Sequence, residues 1–277
     1  MIRDTFFSMH RFVDVCRKEM IENWKTYILR SVMVYGMLAI VFIWDGYFDY
    51  KRIDVLSQGV VDPLWGFEAR IFLFAFVIWG CISASFAMER MKTKTSRTVV
   101  LMTPATMFEK YFSRWLIAIC GFLVVFLIAF KMADWTRVVV YMLKYPGSDV
   151  ISSFPLWQFW TNSGAFYEVA GGGGPDMLIF ISAFSLVQSF FMLGSTVWPK
   201  NALIKTFSAG ISIVVVYILF SVMMGKIFLT GDFFIDDTGV DKGVIQTVVV
   251  AVNFFFTLFN WVLAYFRFKE SEIINRW

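Results

Sequence analysis

The stretch ERMKTKTSRTVVLMTPATMFEKYFSR, residues 89–114, is polar and basic and lies between two long apolar runs. Its six basic residues are Arg90, Lys92, Lys94, Arg97, Lys110 and Arg114, against only Glu89 and Glu109. Lys and Arg are retained on the cytoplasmic side of a membrane, so this imbalance predicts a cytoplasmic loop between two spans. Val99-Val100-Leu101-Met102 puts an apolar patch at its centre. A loop free in water is penalised for such a patch, which points to a docking surface for a cytoplasmic partner. Thr103-Pro104 follows. Thr is a good N-cap and Pro is favoured at the first helical position, so a helix is expected from near Pro104.

The rest of the composition agrees with a membrane setting. The chain of 277 residues is 58% hydrophobic and 17% charged, whereas soluble domains average about 45–50% apolar and about 25% charged. Mean hydropathy is +0.67. The expected class is all-α integral membrane, a single transmembrane domain over 1–277. The net charge of +4 follows from the cytoplasmic Lys and Arg bias, so no nucleic-acid partner is expected.

Outward from the loop, six spans are expected at about 28–48, 71–88, 115–132, 177–197, 206–229 and 243–266. Each is long enough to cross about 30 Å of hydrocarbon as a helix. With Arg30 set aside, segments assigned to the inside hold 16 basic and 8 acidic residues, and those assigned to the outside, counting Asp45, Lys131 and Lys226 at the outer span ends, hold 8 and 13. Both termini are therefore expected in the cytoplasm. Residues 1–27 carry Phe6, Met9, Val13, Cys16, Met20, Trp24 and Tyr27 at spacings of three and four. That stripe predicts an interfacial amphipathic helix before the first span. The largest outer segment, 133–175, is rich in aromatics and is expected to lie on the membrane surface or fold back over the outer mouth; Lys131 is expected to snorkel outward before it. Gly171–Pro175 reads as a flexible break, and Pro199 separates the fourth span from the fifth.

Catalytic and coupling groups are scarce. The single histidine, His10, excludes a histidine metal cluster. Asp236-Asp237 lacks partners at metal-ligand spacing. There is no Walker A motif and no paired intramembrane acid, so neither an enzyme nor an ion-coupled transporter is indicated. Gln188, Gln246, Asn253 and Asn260 fall inside spans, where such residues most often hydrogen-bond between helices. Gly80, Ser83, Ala84 and Ser85 read as a helix-packing patch.

Val100–Trp115, VLMTPATMFEKYFSRW, resembles the segment after the second span of type-two ABC exporter permeases, most closely those of Bacteroides-type bacteria. The resemblance rests on Leu101, Pro104, Ala105-Thr106 and Glu109-Lys110, together with six spans and an N-terminal interfacial helix. It implies a permease of the bacterial inner membrane, working as a homo- or heterodimer of six-span subunits. Each subunit would be coupled to a separate ATP-binding cassette subunit, which would hold the ATP and Mg; this chain would bind no cofactor of its own. The resemblance implies docking through Thr98, Val99, Leu101, Met102, Thr103 and Pro104, with Glu109 and Lys110 at the helix entry. The large outer segment departs from the family, whose outer re-entrant element more typically precedes the sixth span. The alternative is a membrane scaffold or assembly protein without a transport pathway.

Overall fold

The computed structural model describes residues 6–52, 62, 64–146, 150–156, 176–228 and 242–271. The Gly171–Pro175 break and Asp236-Asp237 lie outside the described residues. Every regular element among the described residues is helical: α1 (Met9–Asp49), α2 (Trp65–Ser85), α3 (Lys94–Leu101), α4 (Met107–Leu116), α5 (Phe122–Lys144), α6 (Asp176–Val197), α7 (Ala202–Phe228) and α8 (Lys242–Glu270). A π-turn, Ile117–Gly121, joins α4 to α5 without a break. Six stretches are long and apolar enough to span a membrane, which makes the chain a multi-pass membrane protein.

Three helices run beyond the expected bounds. Residues 9–27 are not a separate helix. They form the first half of α1, 41 residues with no interruption where the span was expected to start, about 60 Å long at 1.5 Å per residue. No Pro or Gly interrupts 9–35, so nothing breaks the backbone ladder. The helix that holds the third expected span runs past Met132 to Lys144. The helix that holds the fifth expected span begins at Ala202, a turn before Thr206. Asn201, at φ 60, supplies the left-handed residue that reverses the chain just after Pro199.

The chain divides into two compact units. The first comprises 1–80 and 112–177. Its core is drawn from Val34, Leu38 and Phe42 of α1, Ala69, Phe72 and Ala75 of α2, Phe126, Ala129, Phe130 and Ala133 of α5, and Phe154. The spacings of three and four put each set on one helix face. Phe130 meets Phe42 and Phe72 edge-on, at centroid distances of 5.4 and 4.9 Å, a geometry that aromatic quadrupoles favour. Phe12 pairs with Phe112, Phe42 with Phe130 and Tyr50 with Tyr141. Contacts climb in the same direction along both chains, so α1 runs parallel to the α4–α5 helix. At Gly46 a Cβ would fall 2.6 Å from the Tyr141 ring, so only glycine allows this approach.

The second unit comprises 81–111 and 178–277. Asn253 donates to Ser182 Oγ at 3.1 Å, and Asn260 donates to Ser189 Oγ at 3.0 Å. Both pairs advance by seven residues, so α6 and α8 run parallel and keep one seam in register over two turns. Of the intramembrane polar residues, Asn253 and Asn260 thus bridge helices as expected. Gln188 is 2% exposed, and its amide nitrogen has no partner among the described residues. Replacing Asn260 with Leu is expected to cost about 0.6 kcal/mol, and no more than about 1.7, the range for polar bridges within membranes. A double-mutant cycle with Ser189→Ala, read by thermal unfolding in detergent, checks it: without coupling between the two sites, the bridge contributes nothing.

Candidate functional site

Residues 89–114 form a folded elbow rather than an open loop. A 3-10 turn, Glu89–Met91, leads into α3, whose N-cap is Thr93. Thr93 Oγ1 accepts from the Ser96 N–H at 3.3 Å. This cap fixes where the helix begins by satisfying one of its orphan donors.

The next helix does not begin at Pro104. Thr103–Ala105 forms a bend, and α4 starts at Met107. Thr106 Oγ1 accepts from the Glu109 N–H at 3.3 Å, while the Glu109 carboxylate accepts from the Thr106 N–H at 3.0 Å. That reciprocal capping box satisfies two donors at once, which a Thr103-Pro104 start does not. The sequence carries the motif as Thr106-x-x-Glu109, three residues beyond Thr103. Lys110 Nζ then donates to the Leu101 carbonyl at 2.7 Å. A cation on the last carbonyls of α3 is favoured by the helix dipole and locks the two helices across the bend. Tyr111 donates to the Trp261 carbonyl at 2.9 Å, and Phe108 and Tyr111 pack on Tyr265. The start of α4 is thereby seated on α8.

The eight docking candidates therefore fall into two groups. Thr98, Val99, Met102 and Pro104 are exposed, with Met102 at 78% and Val99 at 51%, and Leu101 and Thr103 are half-buried. Glu109 and Lys110 are buried, at 0% and 5%. They sit beneath the elbow and set its shape instead of presenting themselves at the surface. Val100, in the middle of the apolar patch, is buried.

A second polar cluster, in the first unit, escaped the sequence reading. Asp62, Glu68, Asp134 and Arg137 are each at most 2% exposed. Arg137 pairs with Asp62 at 3.0 Å, Glu68 at 2.6 Å and Asp134 at 2.8 Å. It also donates to the Tyr50 hydroxyl and, at 2.9 Å, to the Ser152 carbonyl. Asp62 accepts from Tyr50 at 2.7 Å and from the Ser152 and Leu64 amides at 3.1 Å. Asp134 accepts from Lys131 at 3.1 Å and from the Phe154 amide at 2.9 Å. Lys131 does not snorkel; its ammonium donates to Asp134 and to the Phe154 carbonyl. Burial holds the Tyr50 phenol well above its ordinary pKa, so it stays neutral and donates.

This cluster ties the ends of α1, α2 and α5 to Ile151–Leu156. Within 133–175, that short stretch packs on the helices, while 147–149 and 157–175 lie outside the described residues. Residues 133–144 belong to the helix because Ala133, Asp134, Arg137 and Tyr141 continue the buried face of Phe126, Ala129 and Phe130. The available signal was that spacing of three and four, with charges at core positions.

No cluster of His, Cys, Asp and Glu that could hold a metal occurs among the described residues. Comparison with protein-family models, curated proteins and solved structures finds no match to this chain.

Proposed function

We propose that this chain is the transmembrane subunit of an ATP-driven exporter of the type-two ABC permease kind, with residues 98–104 as the handle that a separate ATP-binding subunit grips. One observation carries the reading. Two short helices are locked across a bend by a capping box and by Lys110, and that locked bend holds Val99 and Met102 out into solvent. A large apolar side chain on a charged, rigid elbow suits partner contact, and rigidity lets a push reach the spans instead of being absorbed by a flexible loop. α4 would receive that push directly, because it continues through the π-turn into α5. ATP and Mg would sit in the partner. The pathway would form between two six-span subunits in the bacterial inner membrane, with both termini and the elbow in the cytoplasm. The exposed apolar face of α1 (Met9, Val13, Met20 and Trp24) would lie in the membrane interface.

The test is co-purification. Val99→Glu/Met102→Glu is expected to reduce recovery of the ATP-binding subunit by at least tenfold and to abolish ATPase stimulation. Both side chains point to solvent, so monodispersity and thermal stability should stay unchanged. Undiminished recovery with full stimulation would sink the reading and leave a scaffold protein as the better description.

A further inference from the structure

Beneath the elbow, within the second unit, four helix ends converge on a pocket of about 390 Å³, a size within the ~300–1,000 Å³ of small-molecule sites. Five cations line it, Lys92, Lys94, Arg97, Lys200 and Lys205, and among the described residues no carboxylate does. Lys92, Arg97, Lys200 and Lys205 form no ion pair among the described residues. Four cations gathered without a counter-charge among the described residues repel one another, and a bound anion relieves that repulsion.

The floor has a different chemistry. Met88, Met91 and Phe268 are each buried to within 3% of full burial, and Trp198 stands at the rim. The pocket lies where α2, α6 and α8 end and α7 begins. If these helices cross a bilayer, that is the level of the lipid headgroups, where Trp is enriched and cationic side chains meet anionic lipid. A cationic rim over an apolar floor at this depth matches a phosphate group attached to an apolar body. The site is separate from the exposed docking residues: Val99 and Met102 do not line it.

We propose that this pocket binds a phosphate-bearing anion, with the phosphate held by Arg97, Lys200 and Lys205 and the adjoining carbon skeleton resting on Met88, Met91 and Phe268. The inference needs neither a partner subunit nor transport, so it stands or falls separately from the exporter reading.

The experiment uses the full chain in nanodiscs and native mass spectrometry. Phosphatidylglycerol is expected to remain bound after delipidation and phosphatidylcholine is not. Each cation near an anionic headgroup contributes roughly fivefold in affinity, so Arg97→Gln/Lys200→Gln/Lys205→Gln is expected to weaken retention on the order of a hundredfold. The charge-preserving Lys200→Arg/Lys205→Arg variant should retain it, which separates loss of charge from misfolding. A second arm titrates inorganic phosphate against the lipid-free protein. Binding there, lost in the Gln variant, assigns the site to free phosphate; phosphatidylglycerol retention without it assigns the site to a lipid headgroup. Equal retention of phosphatidylglycerol and phosphatidylcholine with no phosphate binding, or wild-type retention in the Gln variant, overturns the proposal.

Discussion

Arg137→Leu is expected to destabilise the protein by at least about 3–5 kcal/mol, the cost of leaving a buried charge without its partner. Here three carboxylates, Asp62, Glu68 and Asp134, converge on one guanidinium, with Lys131 the other cation that pairs with them among the described residues. Without Arg137 they face one another in a site that excludes water. The loss should appear as failure to accumulate in the membrane, or as early unfolding during a thermal ramp in detergent. Arg137→Lys should recover only part of it. A single ammonium cannot offer the planar fork that engages Asp62, Glu68 and Asp134 together. Adding Glu68→Gln to Arg137→Leu should restore some stability by removing one of the stranded charges. If Arg137→Leu unfolds at the wild-type temperature, the cluster is not what holds these helix ends together.

Gly194→Ala should disrupt the α6–α7 hairpin nearly as severely. A Cβ at Gly194 would lie 1.9 Å from Thr206 Oγ1 and 2.6–2.7 Å from its Cγ2 and Cβ. No rotamer of Thr206 relieves contact with its own Cβ, so the backbones must part. Overpacking in a well-filled interface costs about 1–3 kcal/mol, and the upper end is expected where backbone has to move. Close approach through small residues is how helices gain contact in lipid, where no hydrophobic force drives them together. The control is compensation. Thr206→Gly in the Gly194→Ala background should restore most of the lost stability, and Thr206→Ala less, because its Cβ remains. Equal unfolding temperatures for wild type and Gly194→Ala would mean that the helices do not meet at this point.

The two predictions mark different limits of the sequence. The Gly194 contact pairs two residues inside runs already read as spans, but nothing in one chain's pattern says which small residue faces which neighbour. The Arg137 cluster was hidden for another reason. Hydropathy treats Asp134 and Arg137 as the end of a span, whereas their helical spacing puts them on its buried face. The elbow shows a third case. Its apolar patch is legible as a run of residues, but the helix start is set by the capping box three residues beyond the Thr-Pro pair.

The sequence by itself determined the helical class, the six apolar stretches and the basic elbow. These follow from runs of consecutive residues, because crossing hydrocarbon is a condition each segment meets alone by closing its own hydrogen bonds. Only the tertiary structure decided that α1 is continuous, that α5 outruns its apolar stretch, and that Glu109 and Lys110 lie under the elbow. It also brought Lys92, Arg97, Lys200 and Lys205 around one pocket. Most of those outcomes depend on which segments pack together, and contact between stretches distant in the chain leaves little local mark in it.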